Sequence, residues 1–103
     1  MFISFGPEIG YKVITTTSAI IGDSGKPQAL YGYAFKSDGT AGVVTFFDGT
    51  SGSGTAVFDD TGTVSATKVV PLAAGIVFTN GLFVSFDSHV TPRATFFVRQ
   101  VIS

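Results

Sequence analysis

Leu30–Asp60, LYGYAFKSDGTAGVVTFFDGTSGSGTAVFDD, decides the fold: three apolar runs are separated by two Asp-Gly-Thr triplets set ten residues apart. Asp38-Gly39 and Asp48-Gly49 each join a short polar side chain to a glycine that tolerates positive φ, the combination that reverses antiparallel strands. The runs themselves have strand character. Tyr31, Tyr33 and Phe35 alternate with Gly32, Ala34 and Lys36, a period of two that places the three rings on one strand face. Val43–Phe47 is β-branched and aromatic, too short for a helix and apolar on both faces.

Outside this stretch the same grammar continues. Tyr11–Ile21, YKVITTTSAII, carries Thr and Ser among β-branched residues and favours one long strand ending at Gly22. Gly22–Pro27 is a polar loop. Thr50–Thr55, TSGSGT, is a loop extension rather than a linker, because too few residues separate Phe47 from Val57 and Phe58 to divide two cores. Asp59-Asp60-Thr61-Gly62 reads as a further turn. Thr63–Leu72 is a strand that Pro71 confines to a sheet edge or a strand end. Ala73-Ala74-Gly75 then turns the chain into Ile76–Phe78, Asn80-Gly81 supplies the strongest reversal signal, and Leu82–Phe86 and Ala94–Ile102 complete the set. Eight strands follow, at 11–21, 29–37, 42–48, 54–59, 63–70, 75–79, 82–87 and 94–102. The expected fold is all-β, a single antiparallel β-sandwich with jelly-roll or immunoglobulin-like connectivity. Residues 1–10 form an N-terminal arm in this reading and 11–103 the sandwich.

Composition narrows the function. Of 103 residues 45% are hydrophobic and 13% charged, about half the charge usual in soluble domains at roughly 25%. Eleven Phe and three Tyr are more large rings than a small interior hides, so some are expected to meet another subunit, and a homo-oligomer, a trimer, is expected. The six Lys and Arg are scattered singly along the chain, which argues against nucleic-acid binding. No cysteine is present, removing disulfides and thiol chemistry. No apolar run is long enough to span a membrane, and no signal-peptide pattern opens the chain, so a membrane partner is not expected.

Candidate chemistry yields to plainer readings. Gly22-Asp23-Ser24-Gly25 resembles a serine-protease nucleophile turn, yet His89 is the sole histidine and follows the serine in sequence, the reverse of the order those enzymes use. Asp38, Asp48, Asp59, Asp60 and Asp87 do not have the alternating spacing of a calcium loop and are accounted for as turn residues. Asp59 and Asp60 are neighbours that a strand points to opposite faces, not a pair across a cleft. His89 is a loop or subunit-contact residue, and Tyr31 with Tyr33 is a packed stripe before it is a sugar platform. No catalytic, cofactor or metal residue is proposed, and the chain is not read as an enzyme.

The order Leu30-Tyr31-Gly32-Tyr33, Ser37–Thr45, Phe47-Asp48-Gly49-Thr50 and Gly52-Ser53-Gly54-Thr55, with Pro71–Gly81 followed by Leu82-Phe83-Val84, resembles small β-sandwich structural proteins of tailed bacteriophages. The resemblance covers roughly residues 28–87. It implies a virion protein of the capsid decoration, or cement, type: a trimeric clamp on the head shell whose partner is the major capsid protein. Phe2, Ile3 and Phe5 of the arm, with Tyr31 and Tyr33, are the expected partner contacts. The competing expectation is a binding module, a carbohydrate- or receptor-binding head on a head fibre or tail.

Overall fold

The computed structural model describes residues 9–63 and 65–101. Its strands are β1 (Gly10–Ile14), β2 (Ser18–Ile21), β3 (Gln28–Phe35), β4 (Gly42–Asp48), β5 (Thr55–Gly62), β6 (Lys68–Phe78), β7 (Leu82–Phe86) and β8 (Ala94–Gln100). They form two four-stranded sheets, β1-β8-β3-β6 and β2-β7-β4-β5, with every pairing antiparallel. The first strand pairs with the last, the second with the seventh, the third with the sixth and the fourth with the fifth. This nested order is a long hairpin rolled over on itself, a jelly roll, and it decides between the two expected connectivities.

Period-two alternation turns one side of each sheet inward. Tyr33, Phe35 and Phe96 from one sheet meet Val44, Phe46, Val84 and Phe86 from the other, all buried. Phe46 sits at the middle, its ring 4.4 Å from Phe58, 4.8 Å from Tyr33 and 6.0 Å from Phe96, centre to centre. These are the offset and tilted separations that aromatic quadrupoles favour.

Three elements differ from the sequence reading. The strand expected over 11–21 is two, β1 and β2, because Thr15–Thr17 carries the chain from one sheet to the other; the Thr17 carbonyl accepts from the Phe86 N–H at 2.8 Å. Conversely, the strands expected at 63–70 and 75–79 are one strand, β6. It edges its sheet, where Pro71 removes no shared ladder bond, and it absorbs Leu72–Gly75 as a bulge between the pairs Gly32↔Pro71 and Leu30↔Ile76. The turn expected at Asp59–Gly62 is the end of β5, with Asp60 opposite Val44 and Gly62 opposite Gly42. One strand split and two joined, so the number eight survived.

The Asn80-Gly81 reversal is present. Gly81 adopts φ +113°, its carbonyl accepts from Gly49 N–H at 2.9 Å, and Asn80 N–H donates to Asp48 Oδ1 at 2.7 Å. The β6–β7 turn is thereby fastened to the start of the Ser-Gly loop.

Candidate interaction surface

The outer side of the β1-β8-β3-β6 sheet is apolar across all four strands. One cross-strand row runs Tyr11, Phe97, Gly32, Pro71, and the next runs Val13, Thr95, Ala34, Val69. A third places Arg99, Ala29 and Val77 side by side. Tyr11 is 72% exposed, Val69 67%, Val77 58%, Val13 42% and Phe97 38%. Isolated exposed apolar residues are ordinary on a protein surface; contiguous rows of them mark contact sites. The outer side of the other sheet differs. Its row Ile20, Phe83, Phe47 is apolar, with the two Phe rings edge-on at 5.9 Å. The adjacent row, Ser18, Ser85, Thr45, Asp59, is polar.

Charge follows the same division. The strands of the β1-β8-β3-β6 sheet contain Lys12, Lys68 and Arg99 and no carboxylate, whereas those of β2-β7-β4-β5 contain Asp48, Asp59 and Asp60 and no Lys or Arg. Cations spaced singly along the chain are collected on one sheet by the rolled topology. Sequence reasoning missed this because strands adjacent in sequence lie largely in opposite sheets. The signal is present in the strand composition once the nesting is known.

Tyr31 and Tyr33 do not share a face. The β3 register shifts between Leu30 and Gly32, and a bulge reverses the alternation that a straight strand would keep. Tyr31 therefore lies outside, half-buried under the Arg99 guanidinium, which sits 5.7 Å from the ring centre. Gly75, at φ +74°, makes room for it: a Cβ there would stand 2.9 Å from Tyr31 Cε1. Tyr33 faces the core at 3% exposure, so it is removed from the expected partner contacts, while Tyr31 borders the apolar rows. Phe2, Ile3 and Phe5 lie outside the described residues.

Two polar clusters brace the ends and edge. Asp60, inward-facing on β5, accepts from Tyr33 Oη at 2.7 Å and from Lys68 Nζ at 2.6 Å, bridging the two sheets where β5 and β6 are edge strands. Burial pushes the Asp60 carboxyl up, but the Lys68 ammonium and the Tyr33 hydroxyl outweigh it and hold the group below the usual carboxylate range. Burial, then the Asp60 carboxylate, raises the Tyr33 phenol well above its ordinary value. At one end, His89 Nδ1 lies 3.1 Å from Asp38 Oδ2, and Asp38 N–H donates to the His89 carbonyl at 2.9 Å. The Asp38 carboxyl is held low first by the Thr40 N–H and then by the His89 ring. His89 thus ties the β3–β4 loop to the β7–β8 loop. Ser24, in the β2–β3 loop, belongs to the opposite end of the roll, so the protease-like turn and the histidine do not meet.

Comparison with protein-family models, with curated proteins and with solved structures finds no match. Among the described residues no three His, Asp or Glu side chains gather as a metal site, and no helix is long and apolar enough to cross a membrane.

Proposed function

We propose that this chain is a structural virion protein that decorates and stabilises a phage head by non-covalent contact with the major capsid protein. The observation that carries the reading is the contiguous exposed apolar outer side of β1-β8-β3-β6, on a sheet whose strands hold no carboxylate. Support also comes from the residue pattern over 28–87. A decoration oligomer needs one interface with the shell and another with its own copies. The broader outer side of β1-β8-β3-β6, with Arg99 in one of its rows, serves the shell, and the Ile20–Phe83–Phe47 row serves neighbouring copies in a homotrimer. Many copies on a repeating lattice gain by multivalency, so a modest contact per subunit suffices when geometry lets each one engage.

The test is co-sedimentation of the purified protein with emptied heads of the phage that encodes it, followed by heating of the coated heads. Saturable binding and heads that withstand higher temperature are expected. Absence of binding refutes the assignment and favours a fibre- or tail-borne binding module.

A further inference from the structure

At the end of the apolar side, beyond the last β3–β8 pair Ala34↔Thr95, stand Lys36 and Arg93. They lie just past the end of β3 and just before the start of β8, and both are exposed next to the buried Phe35 and Ala94, on the side that Ala34 and Thr95 occupy. The chain holds them there through the Thr91 N–H, which donates to the Lys36 carbonyl at 2.9 Å, and the Arg93 N–H, which donates to the Thr91 carbonyl at 2.8 Å. Both line a cleft of about 410 Å³, with the hydroxyl-bearing Thr67, Thr91 and Thr95 around it and Ala34, Phe35 and Pro92 as its apolar part. No carboxylate lines it, and neither cation has an ion-pair partner among the described residues. The other cations with described contacts differ: Lys68 is paired with Asp60 and Arg99 lies over Tyr31. Two cations lining one cleft without a carboxylate leave it with positive charge that an anion would offset.

We infer that this cleft receives a carboxylate side chain of the protein surface on which the apolar side docks. The inference rests on the docking reading above and supplies the partner's chemistry: an apolar patch bordered by Asp or Glu. Arg93 offers the planar fork that matches a carboxylate, Lys36 a mobile point charge, and the threonines neutral donors. A saccharide acid fits less well, because the sole aromatic lining residue, Phe35, is 1% exposed and presents no ring face for stacking. A protein partner fits better, because Val13 and Val69, which flank Thr95 and Ala34, are exposed and continue the contact area.

The free protein tests this first, by following backbone amide NMR signals during titration with N-acetylglutamate amide, its neutral glutamine counterpart and glucuronate. Saturable shifts confined to Lys36, Thr91, Arg93 and their neighbours with the glutamate compound, and none with the glutamine one, are expected. No shifts, or equal shifts with both, overturn the inference, and glucuronate binding about tenfold tighter than glutamate overturns the choice of a protein side chain. The second arm uses heads. Lys36→Glu/Arg93→Glu, verified as folded by an unchanged urea midpoint, is expected to bind heads about tenfold more weakly at about 50 mM salt, the deficit shrinking near 0.5 M as charges are screened; Lys36→Gln/Arg93→Gln replaces it if the reversal fails to fold. Unchanged binding, or a deficit indifferent to salt, contradicts the inference. If the wild-type protein coats no heads, the decoration reading fails and the titration alone decides the cleft.

Discussion

The cluster of Tyr33, Asp60 and Lys68 predicts a measurable coupling across the open edge of the sandwich. In Tyr33→Phe the ring keeps its packing against Phe46 and Phe96 and only the hydroxyl is lost. A hydrogen bond to a charged group contributes about 1.5–3 kcal/mol. Asp60 would retain Lys68 and has a side chain 19% exposed to water, so the lower part of that range applies and the expected cost is about 1–2 kcal/mol. Asp60→Ala leaves the buried Tyr33 hydroxyl without an acceptor, at about 1–3 kcal/mol. It also removes an ion pair worth at most about 1 kcal/mol, because the Lys68 side chain is 41% exposed. The double variant is then less destabilised than the sum of the singles by about 1–2 kcal/mol. Urea unfolding of the four proteins measures this, and single-variant costs that add within about 0.3 kcal/mol would refute the bridge. The pH dependence gives a second reading. Asp60 is depressed in the folded state, so its contribution is complete above the ordinary carboxyl pKa of about 4 and is lost as pH falls through the folded value. Asp60→Asn should flatten that acidic limb.

Other outcomes follow from packing and conformation. Phe46→Ala empties the centre of the aromatic cluster and should cost about 3–5 kcal/mol in denaturant unfolding; a loss below about 1 kcal/mol would mean that the cluster is not the core. Gly75→Ala meets both a positive φ and the Tyr31 ring, so about 1–3 kcal/mol is expected, and Tyr31→Ala in the same chain should recover the part due to the ring. Deleting residues 1–9, which include Phe2, Ile3 and Phe5, should leave the unfolding free energy within about 0.5 kcal/mol of wild type while weakening attachment to heads. Equal attachment would remove the arm from the interface.

Local signals carried far in this chain because they act over short range. Asn80-Gly81 made its turn, Val43–Phe47 became the two-faced strand β4, and Pro71 lies on an edge strand. What failed was set by partners distant in sequence. Nothing local in YKVITTTSAII states that Ile14 pairs beside Ala94 and Ile21 beside Leu82 in different sheets. Asp60 resembles a turn residue until Lys68 and Tyr33 are seen to hold it in β5. The Tyr31 error has the same origin, since Tyr31 is the extra residue of β3 between the pairs Leu30↔Val98 and Gly32↔Phe97 with β8, a strand distant in sequence. Which sheet carries the exposed apolar rows, and that Lys12, Lys68 and Arg99 fall on the strands of that same sheet, emerges only from the rolled order of the strands.

If the outer side of β1-β8-β3-β6 is the surface that engages a shell, charge placed on it will block attachment. Tyr11→Glu/Val69→Glu places charge at two of its most exposed positions without touching the core, and co-sedimentation with emptied heads reads the consequence. Loss of head binding is expected, with the oligomeric state in sedimentation velocity unchanged. A variant that coats heads as tightly as the wild-type chain would contradict that role for the surface.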